Sequence, residues 1–183
     1  MDAGHVEDVR VIPSSLGALR LRPERDADQP FRLRLFFDSR PPELALLLRQ
    51  VGPEEYDRLM RFQFQAQTMS YRASFPQARF DIIELDGAPI GRIVVDRPGG
   101  EVHIVDQAVT PAMRNRGVGT TIMQALMSEA ADAGLPVRLK VASSNDPSMR
   151  LYLRLGFAPI ESVPFYVEME WRASSPAIAK QPG

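Results

Sequence analysis

Arg114-Asn115-Arg116-Gly117-Val118-Gly119 stands between a strand-like run, Val102 to Val109, and a helix-like run, Val118 to Ala133. Strand, glycine-bearing loop and helix together form an anion site on physical grounds. The first turn of a helix carries free N–H groups and a partial positive charge. Glycines there let a pyrophosphate approach the backbone closely. Arg114 and Arg116 add fixed positive charge. No Asp or Glu occurs from Gln107 through Ser128, so nothing acidic in that stretch opposes a bound anion.

Two familiar phosphate binders fail at this loop. A nucleotide P-loop needs Gly-Lys-Ser/Thr, but Gly119 is followed by Thr120-Thr121. The dinucleotide fingerprint needs a third glycine, and Ile122 stands there.

Working outward, the strand before the loop ends a meander. Phe80 to Leu85 reads as a strand, Asp86-Gly87 as a tight turn and Ile90 to Val95 as the hairpin partner. Arg97 to Gly100 turns the chain again, and Glu101 to Val109 follows as the third strand. After the loop helix, Gly134-Leu135-Pro136 stops the chain and Val137 to Ala142 is a strand. A helix crossing between Val109 and Val137 predicts that these two strands lie side by side and parallel. Asp146-Pro147 starts another helix, with Asp as its cap, and Gly156 ends it. Phe165 to Trp171 alternates as a final, edge-type strand. Upstream, Leu19 to Pro23 is a first strand, Phe31 to Phe37 a helix opened by Pro30, and Glu43 to Gln50 a short helical piece. A longer helix opens at Gly52-Pro53 and ends at Phe75-Pro76. The domain is expected over residues 18–172. Residues 1–17 read as an N-terminal tail with room for a short strand, and 173–183 as a disordered C-terminal tail.

Composition narrows the function. The 183 residues carry a formal net charge of −1, which provides no global basic field for nucleic acid. The chain has no cysteine, so disulfides, thiolate metal sites and a cysteine nucleophile are excluded. Its histidines are His5 and His103 alone, which excludes a multi-histidine metal centre. No apolar run approaches the ~20 residues needed to span a bilayer. A cytoplasmic protein without metal, nucleic acid or membrane partner is expected, as monomer or homodimer.

The spacing Arg114-x-x-Gly117-x-Gly119 resembles the acetyl-CoA pyrophosphate loop of the GNAT N-acetyltransferase superfamily. Ala108-Val109-Thr110-Pro111 looks like that family's strand end. Asn145, Leu151-Tyr152 and Leu155-Gly156-Phe157 resemble its downstream block. The resemblance runs over about residues 19 to 172. It implies an α/β GNAT fold: a mostly antiparallel sheet of six to seven strands, one parallel splayed strand pair, and about four flanking helices. It also implies acetyl transfer from acetyl-CoA to a primary amine of a small-molecule or amino-acid-like substrate, by direct attack in a ternary complex.

The resemblance also assigns roles. Ala108 and Val109 would bond the pantetheine, with the Val109 N–H polarising the thioester carbonyl. Arg114, Asn115, Arg116, Gly117, Val118, Gly119 and Thr120 would hold the diphosphate. Tyr152 would protonate the leaving thiolate, as against simply packing. Asn145 would bond the coenzyme or shape its turn. For the base, His103 is the first candidate, because an imidazole titrates near neutral pH; ordered water is the alternative. Asp106, three residues on, should point to the opposite face unless a bulge intervenes. The segment Arg58 to Tyr71, with Phe62, Phe64 and Gln65, falls where the family builds its substrate wall. Two other readings stay open: an acyl-CoA-binding module without catalysis, and a transferase for another acyl group.

Overall fold

The computed structural model describes residues 8–40, 46 and 50–173. One eight-stranded sheet runs through it in the order β1-β2-β3-β4-β5-β6-β8-β7. The strands are β1 (Arg10–Ser14), β2 (Gly17–Pro23), β3 (Arg79–Leu85), β4 (Ala88–Asp96), β5 (Val102–Val109), β6 (Val137–Ala142), β7 (Ala158–Val163) and β8 (Tyr166–Trp171). Among the described residues the helices are α1 (Gln29–Asp38), α2 (Pro53–Ser74), α3 (Val118–Asp132) and α4 (Asp146–Arg154). No described helix is long and apolar enough to cross a membrane.

Each pairing is antiparallel except β5 with β6. The expected parallel pair is therefore present, and so is its splay. β5 and β6 are in register only from Val102 to Ile104, opposite Val137 to Leu139. Beyond that point β5 follows β4 as far as Val109, while β6 follows β8 as far as Ala142. The fork between them opens beside the N-terminus of α3.

Eight strands stand where six to seven were expected, and two of them lie outside the six segments read as strands. β1 lies inside the stretch read as a tail, and joins β2 through a turn in which Ser14 Oγ donates to the Gly17 carbonyl at 2.6 Å. Only Ile12 of β1 is buried, so the strand lacks a sustained apolar alternation. β7 is exposed along its whole length and contains Pro159, as suits an edge strand, and it leaves no burial pattern in the sequence. Its presence moves β8 from the expected edge to the interior. The outward Glu168 and Glu170 of β8 do not mark an edge; they pair across the sheet with Lys140 and Arg138. The helical piece at Glu43 to Gln50 lies almost wholly outside the described residues, as do the far ends of both tails.

The main core fills the face under α3. Ile93, Val95, Ile104, Leu139 and Met169 of the sheet meet Val118, Ile122, Met123 and Leu126 there. The opposite face carries α1 and α2, joined by Phe36, Met60 and Phe64.

Candidate active site

A bulge organises β5. Val94 pairs with Asp106, but Val95 pairs with Ile104, so Val105 is an extra residue without a partner on β4. The insertion reverses the alternation downstream. His103, opposite Asp96, and Asp106, opposite Val94, consequently share the sheet face that carries α2. This is the exception foreseen in the sequence, and it brings Asp106 onto the same side as His103. Gln107, opposite Ile93, turns to the α3 face, where its Nε2 donates to the Gly119 carbonyl at 3.3 Å.

The end of β5 turns Val109 away from its β4 partner. The Thr110 N–H donates to the Ile90 carbonyl at 2.9 Å. Since polar groups alternate sides along a strand, Val109 directs its N–H and C=O away from β4 and toward the fork. Ala108 by the same alternation faces β4. β4 can come this close because Gly91 lies opposite Val109: a Cβ on Gly91 would stand 2.6 Å from the Ala108 carbonyl oxygen. Sequence reading missed Gly91, although a lone glycine inside a strand is the signal for such an approach.

The loop that follows forms a cradle. Asn115 and Gly117 both take left-handed conformations, at φ 58° and 85°, and Gly117 caps α3. The first helical hydrogen bond is Thr121 N–H to the Gly117 carbonyl, at 2.9 Å. The N–H groups of Val118, Gly119 and Thr120 therefore precede any intrahelical acceptor. A Cβ on Gly119 would meet nothing nearer than 3.6 Å. Packing alone does not demand glycine there, whereas a ligand lying against the backbone would. The site thus fits a diphosphate on observations of its own.

The two arginines of the loop differ. Arg116 reaches only the Met113 sulfur, at 3.5 Å, and is exposed. Arg114 is committed to the fold: Nη2 donates to the Asp38 carbonyl at 2.6 Å and Nε to the Val109 carbonyl at 3.3 Å.

Tyr152, on α4, is 9 % exposed and packs against Phe157. Burial raises its phenol to about 12, and the nearby negative charge of Asp106 acts in the same direction. Such a hydroxyl stays protonated at neutral pH. Asn145 is the actual cap of α4, in place of the expected Asp146: its Oδ1 accepts from the Ser148 N–H at 3.3 Å.

His103 sits where β5 and β6 are still paired, just before the fork opens. Its Nδ1 lies 3.3 Å from Glu101 Oε1, and its ring packs against Phe75. Asp106 Oδ2 accepts from Arg92 Nη1 at 3.1 Å. Burial raises the Asp106 carboxyl, and Arg92 works against that rise. Tyr71 joins this face from α2, its phenol also raised to about 12 by burial and by Asp106. Of the expected substrate wall, Phe64 is core and Phe62 is exposed, so only the Tyr71 end of α2 reaches this group. Among the described residues no cluster of His, Cys, Asp and Glu could hold a metal ion.

These features have counterparts in known proteins. The family model for the acetyltransferase (GNAT) family matches residues 41–157. An N-acetyltransferase of Methanocaldococcus jannaschii, itself uncharacterised, is 26% identical over 134 residues, which are 67% of this chain and 85% of the relative. An N-alpha-acetyltransferase of Sulfurisphaera tokodaii is 30% identical over 104 residues, 49% of this chain and 62% of the relative. The fold is similar to the PaiA N-acetyltransferase of Thermoplasma acidophilum in complex with coenzyme A. That match has a TM-score of 0.62 and 17% identity, and covers 85% of this chain and 99% of the other. With its fork, its glycine-led helix and the family match over residues 41–157, the chain belongs to the GNAT acetyltransferase family and is an acyltransferase.

Proposed function

We propose that the protein moves an acetyl group from acetyl-CoA to a primary amine of a small-molecule or amino-acid-like substrate, within a ternary complex. The observation that carries this reading is the fork itself. It sets the outward N–H of Val109 beside a helix N-terminus whose donors are unoccupied by the fold. A pantetheine arm can add to the edge as a short strand would. The diphosphate then falls on the amides of Gly117 to Thr120. Arg116 supplies the mobile positive charge, while Arg114 and Asn115 shape the loop.

The chemistry needs three services. The Val109 N–H faces the fork and is the donor for charge developing on the thioester oxygen. Tyr152 keeps its proton at neutral pH and delivers it to the departing sulfur. His103, held by Glu101, takes the ammonium proton directly or through water. No acyl-enzyme is required, which agrees with a chain that lacks cysteine.

The test is calorimetric titration with acetyl-CoA, coupled to thiol release over a panel of amines. Saturable binding with turnover on some amines supports the reading. Binding without turnover on any amine, with Tyr152→Phe behaving like the parent, would establish a non-catalytic acyl-CoA module instead. Preference for succinyl- or propionyl-CoA would reassign the acyl group.

A further inference from the structure

At the closed end of the fork, a line of polar contacts crosses three strands. Arg138 of β6 stands directly opposite His103 of β5, in the short stretch where the two strands pair. Glu101, immediately before β5, links them. Its Oε1 lies 3.3 Å from His103 Nδ1, and its Oε2 lies 3.1 Å from Arg138 Nη1. Arg138 is held in turn by Glu170 of β8, whose Oε2 lies 2.7 Å from Nη2 and accepts from Nε at 2.8 Å. Glu170 also accepts from Arg172 Nε at 2.6 Å. Each of the two carboxylates therefore sits between two nitrogen groups.

Stability does not account for this arrangement. The Arg138, Glu101 and His103 side chains are 34%, 21% and 20% exposed, and ion pairs that water reaches contribute little to a fold. What the contacts fix is the chemistry of the ring. A carboxylate facing Nδ1 places the proton of the neutral imidazole on that nitrogen. The lone pair is then on Nε2, which has no hydrogen-bond partner among the described residues. Phe75, just past α2, packs its ring 5.6 Å from the imidazole. Glu101 is kept on Nδ1 because its second oxygen is tied to Arg138, and Arg138 is tied to Glu170. The orientation of one histidine on β5 thus depends on β6 and β8.

We infer that Glu101 and Arg138 are positioning residues for proton removal from the amine. Glu101 holds His103 in the tautomer whose Nε2 accepts the proton, and offsets the positive charge that the ring then carries. Arg138 keeps Glu101 turned to the ring. The inference rests on His103 as the base in the acetyltransferase reading above, and deepens it. The ammonium loses one proton to Nε2, the Nδ1 proton stays with the ring against Glu101, and the ring afterwards releases the extra proton to water. Two other carboxylates share this sheet face. Asp96 of β4 is paired opposite His103, with its Oδ1 buried and unpartnered, and Asp106 beyond the bulge accepts from Arg92. Phe75 brings no charge. Among the described residues, Glu101 is the carboxylate in hydrogen-bond contact with the ring.

The experiment measures kcat/KM against pH, with acetyl-CoA and an amine that turns over, for the parent and for variants of both residues. Glu101→Ala is expected to lower kcat/KM about tenfold or more near neutral pH, with acetyl-CoA affinity within about twofold of the parent. The acidic limb of the profile should move to lower pH, because the imidazolium loses its counter-charge. Glu101→Gln keeps an acceptor for the Nδ1 proton and should restore part of the rate while leaving the limb displaced. Arg138→Ala should lower the rate less than Glu101→Ala does, and Arg138→Lys should recover part of that loss. In a His103→Ala background, Glu101→Ala should cost almost nothing further. Nitrogen NMR of the two histidines, His5 and His103, reads the tautomer without any turnover. His103 should be an Nδ1–H ring in the parent at alkaline pH and a mixture in Glu101→Ala. An unmoved limb, losses that add in the His103→Ala background, or an Nε2–H ring in the parent would each overturn the inference and leave the acetyltransferase reading standing. Absence of acetyl-CoA binding, or of turnover on every amine, would instead overturn that reading, and the tautomer would still judge the contact between Glu101 and His103.

Discussion

Arg114 Nη2 donates to the Asp38 carbonyl at 2.6 Å, tying the loop after β5 to the last residue of α1. The arginine at the head of the glycine motif is thus occupied by the fold, and its neighbour two residues on is free. Single substitutions should separate the two. Arg116→Ala is expected to weaken acetyl-CoA binding about tenfold or more with Tm unchanged, because it removes a charge-assisted contact to the ligand alone. Arg114→Ala should also lower stability, by about 1 kcal/mol, because two backbone carbonyls lose their donor. Calorimetric titration and thermal unfolding of both variants check this. Equal effects on binding with no effect on Tm would refute the division of labour.

Tyr152→Phe should lower kcat by roughly a hundredfold while leaving acetyl-CoA affinity within about twofold, the pattern of a lost proton donor. Its phenol, and that of Tyr71, lie at about 12 in the folded protein against an ordinary 10. The folded state therefore holds these protons more tightly than the unfolded state does. Their contribution to stability is present in full below pH 10 and is lost as pH rises from 10 through 12. Denaturant unfolding across that range should show stability falling, and each Tyr→Phe variant should remove part of the slope.

His103 is held by Glu101 and Phe75 on the same sheet face as Asp106. If it takes the ammonium proton, its loss matters most where the amine is protonated. His103→Ala should cost more in kcat/KM at pH 6.5 than at pH 9, where part of the amine is already neutral. A loss that is the same at both pH values would make the histidine a packing residue.

The half of the site proposed for the donor was legible because it is local. Gly117 and Gly119 follow a strand and open a helix, and that order alone describes an anion cradle. The parallel pairing of β5 with β6 followed from one intervening helix. The opposite side of the fork was not legible, because long-range pairing builds it. Asp106 reaches its face through a bulge at Val105 that leaves no mark in the sequence. Arg92 and Tyr71 come from separate elements, and each reads alone as an ordinary solvated or packing side chain. β1 and β7 were missed or blurred for a related reason. As edge strands with little buried surface they carry no strong period.

Two glycines should fail in opposite ways. Gly91 is buried in β4 opposite Val109, and a methyl group there would sit 2.6 Å from the Ala108 carbonyl oxygen and 3.0 Å from Ile83 Cδ1. The first obstacle is backbone, so the strand must move. Gly91→Ala is expected to destabilise the fold by about 1–3 kcal/mol. It should also weaken acetyl-CoA binding, because Ala108 and Val109 shift with the strand. At Gly119 a methyl group meets only side-chain atoms, at 3.6 Å and beyond, inside the first turn of α3. Gly119→Ala should leave stability unchanged or raise it by up to about 1 kcal/mol, since alanine favours the helix. It should nonetheless weaken acetyl-CoA binding at least about tenfold, by filling the space through which a diphosphate reaches the amides. Thermal unfolding and calorimetric titration of the two variants decide the matter. A Gly119→Ala protein that is stable and binds acetyl-CoA normally would remove the diphosphate from this cradle.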